Sequence, residues 1–107
     1  LSQTMEQAIF RALGDATRRG IFDRLAAGPL TATALRDGMA ISHPAMSQHL
    51  AVLREAGLIR ERRVGRFTEY AVNPDGLAVL AGWLRKYRAY WPERLAALDA
   101  LTQEMER

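Results

Sequence analysis

Side chains suited to contacting DNA bases and phosphates cluster between residues 42 and 56. Gln48 can pair in a bidentate manner with N6 and N7 of adenine, Ser47 can bond a base edge or a phosphate, and Ala45 can touch a thymine methyl group. A residue at a helix N-terminus, such as Ser42, also suits a phosphate oxygen. The predicted DNA-contacting set on this segment is Ser42, His43, Ala45, Ser47 and Gln48.

A group of arginines follows the same segment. Residues 54–66 contain five arginines and two glutamates, whereas residues 92–107 contain more acidic than basic residues. Arginine side chains commonly contact the phosphates of the DNA backbone. We predict such contacts for Arg54, Arg62, Arg63 and Arg66. The alternative is a solvated face, which we disfavour because like charges on a short hairpin without compensating acids need a reason.

Helices must position these side chains. Apolar residues recur at the spacing of one helical face at Met46, Leu50, Leu53 and Gly57. At about 100° per residue, Gln48 points away from this face, while His49 lies near it and is interpreted as a packed structural residue. Caps and breakers predict helices over about residues 5–13, 16–27, 32–37 and 43–56, with N-caps at Thr4, Asp15, Thr31 and Ser42.

The periodicity changes after residue 57. Two strand-like runs, 58–64 and 67–73, flank Gly65-Arg66 and predict a β-hairpin. Residues 73–76 form a dense turn signal, and the pattern from Leu77 onwards is helical again. Pro92 lies inside this last stretch and either kinks the helix or starts a new one. Two short helices joined by a tight turn and followed by a basic hairpin indicate a helix-turn-helix protein.

Two runs of the sequence resemble a known family. Residues 10–19, FRALGDATRR, are similar to the second-helix signature of the ArsR/SmtB repressors, and residues 42–59 resemble that family's recognition helix and its exit into the wing. The resemblance implies a mainly α-helical winged helix-turn-helix fold with a β-hairpin wing, and a repressor that binds a palindromic operator as a homodimer. The expected organisation is one domain over 1–107, with the helix-turn-helix at 31–57, the wing at 58–73 and dimerisation helices at 4–13 and 77–106.

Bulky side chains outside the helix-turn-helix exceed what a small core needs. Aromatic residues are common at protein interfaces, and the predicted dimer interface comprises Ile9, Phe10, Trp83, Tyr87, Trp91, Leu95 and Leu98. An alternative is that Trp83, Tyr87 and Trp91 also line a pocket for an apolar effector. The identity of any such small molecule is open.

Composition excludes several other classes of function. The sequence contains no cysteine and two histidines, His43 and His49, so we expect no metal site and no thiol chemistry. Since the family's metal sensors use cysteines on the third helix or Asp and His on the last helix, this chain departs from both patterns. We also expect no enzyme activity, no cofactor, no signal peptide and no membrane span, which fits a cytoplasmic location. A winged-helix module that binds proteins remains the alternative function.

Overall fold

The computed structural model describes residues 4–106. Helix α1 spans Met5–Leu13 and begins at a capping box, in which Thr4 and Gln7 each accept the other's backbone N–H at 3.1 Å. Helix α2 spans Ala16–Leu25 and is capped by Asp15, whose Oδ1 accepts the Arg18 backbone N–H at 3.0 Å. Both predicted caps are confirmed. The connection between the two helices has only two residues.

Helices α3 and α4 form the predicted helix-turn-helix. Helix α3 spans Ala32–Arg36 and α4 spans His43–Glu55. The Ser42 hydroxyl accepts the Ala45 N–H at 3.2 Å and caps α4. Gly57, with φ +80°, ends the helix, and its N–H and that of the next residue bond the carbonyls of Arg54 and Leu53, each at 3.0 Å. This Schellman motif requires a left-handed residue, which glycine supplies at no steric cost.

A three-stranded antiparallel sheet follows in the strand order β1-β3-β2. Strand β1 is Leu30–Thr31, β2 is Ile59–Val64 and β3 is Phe67–Val72. Val64 pairs with Phe67, which leaves Gly65-Arg66 as a two-residue turn. Gly65 has φ +60°, as the first central position of a type II′ turn requires. The hairpin is confirmed, whereas β1 was not predicted.

The C-terminal part differs from the sequence-based expectation at one point, the start of its first helix, and decides between the two alternatives for Pro92. Helix α5 spans Pro74–Arg85 and is capped by Asn73, so the predicted turn at 73–76 is instead the start of a helix. After a 3₁₀ turn over Arg88–Tyr90, helix α6 spans Glu93–Met105 with Pro92 at its N-cap. Proline at a helix start loses no intrahelical hydrogen bond. The last helical stretch is therefore split rather than kinked.

The buried hydrophobic core of the described chain lies entirely between residues 9 and 59. Met46 and Leu53 are 0% exposed and Leu50 is 2% exposed, which confirms the predicted inner face of α4. Ile9 is also fully buried, at 0% exposed. Its assignment to the dimer interface is wrong, because its side chain has no surface left for a partner. None of the helices described is long and apolar enough to cross a bilayer.

Candidate nucleic-acid interface

The outer face of α4 presents most of the predicted base-contacting residues to solvent. Ser42, His43, Ser47 and Gln48 are exposed, and Ala45 is half-buried. The opposite face of the helix is fixed in the core through Met46, Leu50 and Leu53. A helix held by one buried stripe presents the other stripe rigidly, and its diameter suits the major groove.

Ser42 combines two roles at the N-terminus of α4. Its Oγ accepts the Ala45 N–H at 3.2 Å, which leaves the hydroxyl proton available to a further acceptor. The partial positive charge of a helix N-terminus favours an anion at the same place. A phosphate oxygen can therefore bind here without disturbing the cap.

Two of the four predicted arginines have acidic partners. Arg54 Nη1 lies 3.3 Å from Glu61 Oε1, and Arg62 Nη2 lies 3.2 Å from Glu69 Oε1. The expectation that the hairpin lacks compensating acids is therefore wrong. Both pairs are substantially solvent-exposed, so each contributes little to stability and can exchange its partner for a phosphate.

Arg63 and Arg66 form no ion pair with any residue in the range 4–106. Side chains alternate across a strand, so Arg63 shares a sheet face with Glu61, which bonds α4 through Arg54. Arg63 therefore lies on the α4 side of the wing. Arg62 lies on the other side with its partner Glu69. Arg66 occupies the turn at the wing tip.

One contact to α4 that no sequence pattern predicted comes from helix α2. The Arg18 side chain is only 17% exposed, and its Nη1 lies 3.5 Å from His49 Nδ1. His49 is half-buried, which agrees with its interpretation as a packed residue. The contact spans 31 positions along the chain, and no local spacing signals it.

The predicted interface residues divide into two groups. Phe10, Trp83 and Tyr87 form an aromatic cluster, with ring centroids 4.8 Å apart for Phe10–Trp83 and 5.0 Å apart for Trp83–Tyr87. Trp91, Leu95 and Leu98 lie apart from this cluster and line a cavity of about 250 Å³ between α5 and α6. Leu98 is 61% exposed.

The cavity between α5 and α6 bears on the effector alternative. Of the three aromatic residues predicted to line one pocket, it contains Trp91 but neither Trp83 nor Tyr87. Its volume lies below the range of about 300–1,000 Å³ typical of ligand pockets. In the part of the chain described, no group of three or more His, Cys, Asp or Glu residues is placed to hold a metal ion.

Known transcriptional regulators are similar to this chain in sequence. The HTH-type transcriptional regulator Rv2034 of Mycobacterium tuberculosis is 46% identical over 71 residues, which is 66% of each chain. The transcriptional repressor SdpR of Bacillus subtilis is 35% identical over 79 residues, covering 74% of this chain and 88% of SdpR.

Solved structures of transcriptional regulators have a similar fold. An ArsR-like transcriptional regulator from Rhodococcus sp. RHA1 superposes with a TM-score of 0.72 at 31% identity, covering 91% of this chain and 92% of that one. A homodimeric winged helix-turn-helix DNA-binding domain from Mycobacterium bovis has a TM-score of 0.63 at 25% identity, with 75% and 74% covered.

The fold and the exposed polar face of α4 define a winged helix-turn-helix regulator that binds DNA. A family model described as a helix-turn-helix domain matches residues 8–62, which is more than half of the chain. The chain belongs to the ArsR family of transcriptional regulators.

Proposed function

We propose that this protein is a repressor that binds a palindromic operator in double-stranded DNA as a homodimer. The observation that carries the proposal is the exposure of Ser47 and Gln48 on α4, opposite its buried stripe. In the proposed complex α4 enters the major groove, where these side chains bond base edges. His43 and Ala45 contact the same groove near the N-terminus of α4. A repressor of this kind acts where the genome is, in the bacterial cytoplasm.

The wing and the end of α4 supply the sequence-independent part of the affinity. Arg63 lies on the α4 side of the hairpin and Arg66 at its tip, so both are proposed to bind phosphates. Arg54 and Arg62 are proposed as weaker contacts, because each must first leave its glutamate. Each phosphate neutralised releases counterions, so binding weakens as salt rises.

The proposed homodimer is supported by exposed apolar side chains on α1, on α6 and in the segment that joins α5 to α6. Phe10 is 40% exposed, Tyr87 45%, Leu95 42% and Leu98 61%, and large exposed apolar patches mark interaction sites. The domain from Mycobacterium bovis is homodimeric. A two-fold axis would place the two α4 helices in successive major grooves, about 34–36 Å apart, and require a palindromic site.

The test measures binding to DNA from the protein's own upstream region and to random DNA, over a range of salt concentrations. We expect specific binding to be tighter by about a thousandfold or more. Gln48→Ala should reduce this ratio by about 5- to 150-fold for each half-site, since a bidentate base contact contributes about 1–3 kcal/mol of discrimination. Glu55→Ala, at the exposed far end of α4, is the control and should leave the ratio unchanged.

A matched pair of wing variants separates phosphate contacts from base contacts. Arg63→Gln should weaken binding to every sequence. It should also reduce the steepness of log K against log salt by about 1.8, because the homodimer loses two phosphate contacts. Arg62→Gln should change both quantities less, because Arg62 faces away from α4 and already has a carboxylate partner. If operator and random DNA bind equally well, the repressor assignment fails and a protein-binding winged helix becomes the better hypothesis.

A further inference from the structure

Helix α2 carries arginines that bond the ends of other helices. The Arg18 guanidinium donates from Nε to the Ala12 carbonyl at 2.7 Å and from Nη2 to the Arg11 carbonyl at 3.1 Å. The last carbonyls of a helix lack intrahelical partners. Arg18 therefore supplies hydrogen-bond donors to carbonyls at the C-terminal end of α1. Its limited exposure means that water cannot readily replace these bonds.

The same guanidinium also reaches α4. Its Nη1 lies 3.5 Å from His49 Nδ1, a long hydrogen bond, and 3.9 Å from Asp15 Oδ2. For Nδ1 to accept this N–H, the imidazole proton must reside on Nε2. His49 follows directly after Gln48 in α4. One side chain therefore connects the end of α1 to the helix that carries the base-contacting residues.

Arg24 makes the equivalent contacts at the other end of α2. Its Nη2 donates to the Ala34 carbonyl at 3.1 Å and its Nη1 donates to the Asp37 carbonyl at 3.1 Å and to the Leu35 carbonyl. These carbonyls belong to the last turn of α3 and the start of the turn that leads into α4. Helix α2 thus holds α1 through Arg18 and the helix-turn-helix through both arginines.

We propose that Arg18 and Arg24, termed here the α2 clamp, are positioning residues that set the half-site spacing the dimer accepts. This inference rests on the proposed homodimeric repressor, in which α1 lies at the dimer interface and α4 reads the operator. The two recognition helices keep a fixed separation only if α1 and α4 are rigidly connected within each protomer. One base pair adds about 3.4 Å of rise, so small rotations of α4 change the preferred spacing.

Lysine substitutions test the clamp without changing the charge. An ammonium group is a compact point charge and cannot reproduce the planar fork of a guanidinium. Arg18→Lys should therefore lose the hydrogen bonds that join Arg11 and Ala12 to His49. Arg24→Lys should lose the set of hydrogen bonds to the carbonyls at the end of α3. Arg19→Lys is the matched control on the same helix. Among residues 4–106, the Arg19 side chain makes one hydrogen bond, to the Leu13 carbonyl at 2.5 Å, which an ammonium can keep.

The first readout is the ratio of affinities for the natural operator and for operators with one base pair inserted or removed between half-sites. We expect Arg18→Lys and Arg24→Lys to reduce this ratio by about tenfold, comparable with the loss of one charge-assisted hydrogen bond. Affinity for random DNA should stay within about twofold of wild type, because the lysine variants keep the net charge. Affinities are compared above the dimer dissociation constant of each variant, since Arg18 bonds the end of α1. A loss of general stability would instead lower affinity for all spacings together.

The second readout requires no DNA. The chain contains no cysteine, so Glu55→Cys places one spin label on the exposed end of α4. Electron–electron distance measurements between protomers should give a narrow distribution for the wild-type background and a broader one in the clamp variants. His49→Leu should also broaden it, whereas His49→Asn should not, because the asparagine Oδ1 supplies an acceptor close to the position of Nδ1.

The outcomes separate the clamp from the function on which it rests. If wild type prefers one spacing and the lysine variants keep that preference with an equally narrow distance distribution, the clamp is refuted while the repressor stands. If wild type is monomeric or accepts every spacing equally, both proposals are refuted. If a lysine variant does not fold, by circular dichroism, the comparison of His49→Leu with His49→Asn decides by the same two readouts.

Discussion

Apolar side chains are buried to different extents in two regions of the chain, residues 4–73 and residues 74–106. The first region contains the whole buried hydrophobic core of the described chain, from Ile9 to Ile59. In the second region Gly76 is buried, while Leu98, Leu101 and Met105 are 61%, 54% and 79% exposed. The first region buries its own apolar side chains. The second, termed here the C-terminal arm, leaves several apolar side chains exposed. We propose that a second protomer covers them.

Helix α6, the outer part of the C-terminal arm, packs loosely within one protomer. Helix α6 has 13 residues, and isolated helices of about 12–15 residues are marginal in water. Its polar link to α5 is the bond from Arg85 Nε to Asp99 Oδ1 at 3.1 Å, in which the Asp99 side chain is only 13% exposed. Stability of the arm should therefore depend on protein concentration, as expected when folding and association are coupled.

Substitution of a buried core residue should have the largest effect on stability. Leu53→Ala removes a side chain that is 0% exposed and should lower the free energy of unfolding by about 3–5 kcal/mol. Urea unfolding at two protein concentrations measures this loss, which should be the same at both. Leu101→Ala in the arm is the matched substitution, and its smaller effect should grow with concentration. Equal effects at both sites would remove the distinction between the regions.

A charge on the arm should act on association rather than on folding. Leu98→Asp should raise the dimer dissociation constant by about 30-fold or more, as truncation of a residue central to an interface does. Analytical ultracentrifugation measures the constant, and circular dichroism should stay close to that of wild type. Ala96→Asp adds the same charge about 160° away around α6 and should leave the dimer intact. A dimer that tolerates Leu98→Asp does not associate through α6.

The smallest predicted effect concerns acid and belongs to the first region. The Arg18 backbone N–H bonds the Asp15 carboxylate, and this bond, together with the Arg18 guanidinium, holds the pKa of Asp15 below its ordinary value of 3.8. A carboxyl with a lowered folded-state pKa stabilises the fold above the unfolded pKa, and this contribution is lost as pH falls through the folded pKa.

Asp15→Asn tests this origin of the acid sensitivity. Asparagine also caps helices well, so the variant should keep α2 but lose the titration. Urea midpoints measured from neutral pH to about pH 2 should show the difference between wild type and variant shrinking as Asp15 is protonated. A difference that stays constant with pH would mean that Asp15 acts only as a neutral cap.

Local signals in the sequence predicted α4 well and the longer-range contacts poorly. The serine cap and the apolar spacing determine both the start of α4 and its outward face, because both act within a few residues. Strand β1 has only two residues, too short for a periodic pattern. Residues 73–76 satisfy the rules for a turn and for a helix start equally, so the sequence alone did not decide between them.

Apolar spacing continues through residues 86–92, so the sequence left open whether Pro92 kinks the helix or starts a new one. The Arg62–Glu69 pair was predictable, because a two-residue turn at Gly65-Arg66 brings these positions into register. The contacts of Arg18 and Arg24 were not, since they join helices whose packing no local pattern determines. The assignment of Ser47, Gln48 and the wing arginines to DNA remains a prediction.

The start of α5 lies against the end of α4 at two glycines. A methyl group at Gly76 would stand 2.4 Å from the Gly57 carbonyl oxygen, so main chain packs directly on main chain at this joint. The direction in which α5 leaves the domain is therefore independent of side-chain size at the contact. Substitutions elsewhere in the arm can therefore change its surface while this main-chain joint stays the same.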